Sequence, residues 1–153
     1  MFGAWTFKSS QDAAGLTMIN ALDGNITTEA RTTGHPLPYQ IIYFGKPMRV
    51  TAVWITAGAN FPLASLDVRV GNSDFRSYTT NQRITGNIRC GSYLGPTRIK
   101  NEVVYISCSN PRGIIGTYLS IQMTERATIN SPLEIAELKV EGFARECNVQ
   151  TAF

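Results

Sequence analysis

Short runs of β-branched and aromatic residues recur along the chain at 39–44 (YQIIYF), 49–56 (RVTAVWIT), 66–70 (LDVRV), 103–107 (VVYIS), 118–123 (YLSIQM) and 135–140 (IAELKV). Such side chains fit a pleated, half-buried surface, so each run is predicted as a strand. Two of the runs alternate cleanly. Leu66, Val68 and Val70 oppose Asp67 and Arg69, and Leu119, Ile121 and Met123 oppose Tyr118, Ser120 and Gln122. Turn signals separate the runs: GKP at 45, GAN at 58, GNS at 71, TGN at 85, GP at 95, SNPRG at 109 and NSP at 130. Many short strands with this punctuation predict an all-β sandwich or barrel. The one helix-like stretch, residues 10–22, is interrupted by Gly15 and closed by Gly24.

No internal repeat or linker divides the chain, so residues 1–143 read as one domain and 144–153 as a C-terminal tail. With 153 residues, 43% hydrophobic and 16% charged, one real core is within reach. The net charge of +3 comes from basic residues scattered singly, so nucleic acid is not an expected partner. No run approaches the roughly 18 apolar residues of a membrane span. The start MFGAWTFKSS lacks the pattern of a signal peptide. It fits a cytosolic chain or a domain cut from a longer secreted or cell-surface protein.

Three cysteines imply one pair and one remaining thiol. Cys90 and Cys108 would close a loop worth roughly 3 kcal/mol in the chain-entropy model; the alternative is two buried free thiols. Cys147 is then left over, either free or bridging two chains. Enzymatic residues are scarce. There is a single His, no Gly-x-Ser-x-Gly, no Cys-x-x-Cys and no phosphate-cradling loop. On a regular strand Glu134 and Glu137 point to opposite faces, so no paired acid and base is implied, and no enzyme is expected.

Taken in order, NALDGN at 20–25, a His-containing loop, VRVGNS at 68–73, Cys90 and Cys108, GTYLSI at 116–121 and LEIAELKV at 133–140 form a larger pattern. Over about residues 5–143 the chain resembles the F-type lectins, or fucolectins, within the discoidin and coagulation factor 5/8 C-domain group. The resemblance implies an eight-stranded jelly-roll β-sandwich, an extracellular setting and a structural calcium ion. Its implied ligands are Asn20, Asp23, Asn25, Thr32, Ala136 and Glu137. Calcium takes oxygens from carboxylates, carbonyls and hydroxyls. Asp23 and Glu137 would supply charge, Asn20, Asn25 and Ala136 carbonyls, and Thr32 a carbonyl and a hydroxyl. Without the resemblance, DGN is an ordinary turn. Asn25-Ile26-Thr27 is also a glycosylation sequon, but its place inside the metal loop argues against a glycan there.

The sugar-reading part of the family pattern is broken. Fucose is held in that family by a His followed by Arg-x-Asp-x-x-x-x-Arg, whose guanidinium groups donate to vicinal sugar oxygens. His35 fits the first position, but Ile55, Ala57 and Pro62 stand where the arginines and aspartate belong. Thr33 and Ala136 likewise replace the family's second disulfide. The segment from Ala59 to Leu63 reads instead as an apolar loop tip, making His35, Asn60, Phe61 and Leu63 the candidate ligand contacts, unless Phe61 and Leu63 fold back onto the core. Arg31 and Arg76 are cations that the sequence cannot place. The expected function is a calcium-stabilised, lectin-like recognition module binding a glycan other than simple fucose, or a protein, on a cell surface. The alternative is a non-sugar adhesion domain acting through protein contact, self-association or a membrane surface.

Overall fold

The chain is described by a computed structural model over residues 5–73, 78, 82–124, 131–144 and 150–152. Nine strands form among these residues: β1 (Thr6–Ser9), β2 (Ala30–Arg31), β3 (Tyr39–Ala57), β4 (Leu66–Gly71), β5 (Ile88–Tyr93), β6 (Val103–Ser107), β7 (Ile114–Met123), β8 (Glu134–Ala144) and β9 (Gln150–Ala152). All pairings are antiparallel. This is the expected all-β jelly roll, but β1, β2 and β5 fall outside the runs read as strands, and three further elements differ from the pattern read in the sequence.

The predicted strands at 39–44 and 49–56 are one strand. GKP does not turn the chain back; it makes a bulge, with Gly45 at φ 81°, across which the register with β7 jumps from Tyr43↔Tyr118 to Met48↔Gly116. The first part of β3 pairs with β1 and β7, and its last part with β6 and β8. One strand therefore runs through both layers of the sandwich. The helix-like stretch shrinks to a single 3-10 turn, Met18–Ala21, because Gly15 sits at φ 74° just before it. Part of the segment read as a tail, Gln150–Ala152, lies along β8 as β9.

Inward residues of both layers, among them Val53, Ile55, Val68, Val70, Val104, Ile106, Leu119, Ile121, Leu138 and Val140, form the main core. The disulfide joining Cys90 on β5 to Cys108 after β6 ties the two layers together beside β3, where Cys108 N donates to the Thr51 carbonyl at 2.9 Å. The face of β7 read as outward is also covered. Tyr39, Ile41, Ile84 and Tyr118 make a second, smaller cluster. Gln122 beneath it is fully bonded: its Oε1 accepts from Ile84 N at 2.9 Å, and its Nε2 donates to the Leu37 and Gln82 carbonyls. A buried amide with partners on both ends fixes the covering segment instead of penalising it.

Candidate functional site

NALDGN, residues 20–25, spans the end of the 3-10 turn and the loop that follows it. Asn20 anchors that loop from inside, its Nδ2 donating to the carbonyls of Gly15 (3.2 Å) and Glu29 (3.1 Å), and Gly24 takes the positive φ the turn requires, 76°. The result gathers oxygen atoms. The Thr28 hydroxyl lies within hydrogen-bond distance of Asp23 Oδ2 (2.6 Å), the Asn25 carbonyl (2.9 Å) and the Asn20 carbonyl (3.2 Å). A hydroxyl has one proton to give and cannot serve three acceptors at once. The Asp23 carboxyl is held below its ordinary range by Thr28 and then by the Asn25 N–H.

Glu137 meets this loop from β8. Opposite Thr56 and Ala57, β8 offers Glu137 and Ile135, so Ala136 is an extra residue and its peptide is released from the ladder to β3. The bulge also resets the alternation. Leu133 and Ile135 are buried before it, and Leu138 and Val140 after it, so Glu134 and Glu137 fall on the same side of the strand. Their opposite placement, expected for a regular strand, does not hold. They still do not form a pair, because each has its own partners. Burial, and next the charge of Asp23, push the Glu137 carboxyl up, while N–H groups of Gly24, Asn25 and Leu138 oppose the shift. Glu137 Oε2 is buried without a hydrogen-bond partner.

Two carboxylates facing each other, an orphaned carboxylate oxygen, the carbonyls of Asn20 and Asn25 and a bulged Ala136 have the donor chemistry of a hard cation. No group of three or more His, Cys, Asp or Glu forms a cluster among the described residues, so carbonyls and hydroxyls must supply most of the oxygens. Thr28, which the sequence did not single out, brings its hydroxyl among them. The Thr32 hydroxyl is engaged elsewhere, accepting from Leu133 N at 3.0 Å.

The loop after β3 is organised by Glu134, which is wholly buried. Its Oε1 accepts from the backbone of Asn60 (2.8 Å) and Phe61 (3.4 Å), and its Oε2 from Asn60 Nδ2 (3.2 Å) and Arg31 (3.2 Å). Gly58 is required here, because a Cβ at that position would fall on the Glu134 side chain. Arg31 also stands over the Phe61 ring, 5.7 Å from its centre. Leu63 is fully buried. The apolar tip has thus folded back at Leu63, and what the loop presents outward is Ala59, Asn60 and Pro62, with Phe61 half-buried.

The neighbouring loop completes a pocket of about 250 Å³ lined by residues 58–62 and 97–100. Thr97 clamps the two loops: its N–H donates to the Leu63 carbonyl (2.9 Å) and its hydroxyl accepts from Leu63 N (2.9 Å). Glu102 Oε1 holds the Arg98 N–H at 3.0 Å. The cations at this pocket are Arg98 and Lys100, from a loop that no sequence signal connected to residues 58–62. Arg76 and Cys147 lie outside the described residues.

His35 is buried, its Nε2 2.6 Å from the Ser10 hydroxyl, which also accepts from Tyr39 N at 3.1 Å. Its Nδ1 has no partner, so a charged ring would bury an unbonded N–H. Burial accordingly pushes its pKa below the ordinary value of about 6.5. The unfolded chain then takes up a proton before the folded one does. Stability from this group is fully present above pH ~6.5 and is lost as pH falls from there toward the lower folded value. His35 is the single histidine. Replacing it with Gln is expected to flatten the denaturation midpoint between pH ~7 and ~5 relative to the parent chain; an unchanged slope would assign the effect to other groups.

No protein-family model and no curated protein sequence matches the chain. Among solved structures it is similar to a fucolectin, or F-lectin, from striped bass (Morone saxatilis) serum, with a TM-score of 0.74 and 20% identity, covering 92% of this chain and 47% of that one. The chain thus spans about half the length of that protein. It is similar to the family 32 carbohydrate-binding module of Clostridium perfringens NanJ, solved with galactose, with a TM-score of 0.64 and 18% identity, covering 90% of this chain and 93% of that one. A fucose-binding module from Streptococcus pneumoniae matches with a TM-score of 0.64 and 15% identity, covering 92% of this chain and 91% of that one. Likenesses at this identity show the fold, a jelly roll shared with F-type lectins and discoidin-like carbohydrate-binding modules.

Proposed function

We propose that the chain is a lectin-like, glycan-binding module of an extracellular protein, and that it takes its sugar at the pocket between residues 58–62 and 97–100. The observation that carries this reading is the pocket itself. It opens between two clamped loops at one end of a jelly roll whose similar structures include modules solved with galactose or described as binding fucose. Preorganised loops lose little freedom on binding, which favours a small polar ligand such as a sugar. The pocket has neither of the family's arginines at Ile55 and Pro62, so simple fucose is not the proposed ligand.

In the same reading calcium is held by Asp23, Glu137 and the carbonyls of Asn20, Asn25 and Ala136, with Thr28 adding a hydroxyl. Such an ion would neutralise two facing carboxylates and fasten the first loop to β8, without taking part in chemistry. Added calcium at about 100 times its Kd is expected to stabilise the chain by about 2.7 kcal/mol, an effect that chelator reverses. Asp23→Asn and Glu137→Gln should each abolish that response. A melting temperature indifferent to calcium would remove the ion from the reading.

The experiment that tests the function is a glycan array, run with calcium and with chelator. Binding to any sugar class supports a lectin. A blank array from folded protein that self-associates supports the second reading, an interaction domain working through protein contact. Exposed Ile88, Leu94, Val103 and Tyr105 on and beside β5 and β6 favour that alternative.

A further inference from the structure

Arg98 and Lys100 line the pocket from one side, and no carboxylate lines it. Both residues are exposed, and neither forms an ion pair among the described residues. The acids closest in the fold have other partners. Glu134 is bound to Arg31 and to the Asn60 backbone, and Glu29 lies by Arg31 at 3.9 Å and Asn60 Nδ2 at 3.5 Å. The Glu102 carboxylate accepts from Arg98 N and lies 3.5 Å from the Tyr93 hydroxyl. Two exposed cations whose side chains form no ion pair among the described residues, set on a backbone already fixed by Thr97 and Glu102, are available to meet an anion at the pocket.

The opposite wall has a different character. Ala59 and Pro62 are exposed, and across the opening Ile99 is exposed to 70%. These apolar groups can meet the C–H face of a sugar ring. The one aromatic residue lining the pocket, Phe61, is half-buried and has a face of its ring under the Arg31 guanidinium, which limits it as a platform for a neutral sugar. Recognition here falls to charge plus a small apolar wall.

We infer that this pocket selects acidic sugars, those bearing a carboxylate or a sulfate, with Arg98 and Lys100 as the residues that set the preference. Arg98 supplies a planar fork suited to two anionic oxygens, and Lys100 a point charge beside it. The inference rests on the glycan-binding reading above and narrows it to one chemical class. It also accounts for the position of the cations. They come from the loop opposite Pro62, where the resemblance places the second of its arginines.

The test uses three matched oligosaccharides: a neutral galactose-terminated one, the same chain capped with a carboxylate sugar, and the same chain sulfated. Titration calorimetry on the whole chain is expected to give at least ~10-fold tighter binding for one or both acidic members, a preference that shrinks as salt screens the charges. Comparing the two acidic arms distinguishes carboxylate from sulfate. The double variant Arg98→Ala/Lys100→Ala should bind all three with the affinity of the neutral member. Its side chains are exposed, so thermal melting near that of the parent verifies its fold. Equal or tighter binding of the neutral member overturns the inference while leaving a lectin standing. An acidic preference that survives the double variant overturns the assignment to these residues. No binding of any member, together with a blank array, overturns the glycan reading and this inference with it.

Discussion

Glu134→Ala is expected to lower the stability of the chain by about 3–5 kcal/mol, the usual cost of removing one partner of a buried charge pair. The carboxylate is fully buried and accepts from Arg31, from Asn60 twice and from Phe61. Alanine would leave Arg31 without this counter-charge and two backbone N–H groups without their acceptor. For a chain of this length the loss corresponds to a fall in melting temperature on the order of 10 °C. Glu134→Gln keeps an acceptor oxygen and the shape, and should cost less, about 1–3 kcal/mol. Urea denaturation of both variants checks the order. Because Glu134 also shapes the loop that lines the pocket, ligand affinity should fall with stability in the alanine variant. A change below about 1 kcal/mol in Glu134→Ala would mean that the loop holds its form without the carboxylate.

The second large effect is expected from the disulfide. Cys90 and Cys108 are 18 residues apart in sequence and both buried, and their bond links β5 to β6, which share no strand ladder. Cutting it releases the unfolded chain from a closed loop and should cost roughly 3 kcal/mol. Cys90→Ala/Cys108→Ala avoids burying new polar groups and isolates the cross-link from thiol chemistry. Its urea midpoint should move down by the same amount as that of the parent chain in reductant. A parent midpoint that ignores reductant would show that the ladders on either side suffice without the bond.

Much of the fold was legible because hydrophobic alternation and turn residues report directly on burial. Val104 and Ile106 point inward and Val103 and Tyr105 outward, as period-two patterning requires. What escaped was non-local. β5 reads IRCGSY, with Ile88 outward and Cys90 inward, so its polarity hid a strand that its pairing with β4 makes obvious. The GKP bulge looked like a hairpin turn because Gly and Pro mark both. At the candidate site the resemblance pointed to Asp23 and Glu137 as metal ligands, and the structure puts the Asp23 charge close enough to push the Glu137 carboxyl up. It gave no hint that Thr28 would join the oxygens there, or that residues 97–100 would face residues 58–62. Nor did the predicted faces of β8 survive, since one inserted residue at Ala136 reverses every position after it. The apolar tip failed as a pattern for a different reason: Leu63 is apolar because it belongs to the core.

The clamp between Thr97 and Leu63 separates two kinds of position that usually compete in a protein. It works through two backbone N–H groups, one carbonyl and the Thr97 hydroxyl, and Leu63 contributes its bulk inward. None of that depends on the identity of residues 59, 62, 98, 99 or 100, which all face outward. Those five sites form a ready library surface. They can be randomised for new ligands at little cost to folding, provided that Gly58, Leu63, Thr97 and Glu102 are left alone. In natural descent the same division would let ligand preference drift quickly across a scaffold that changes slowly.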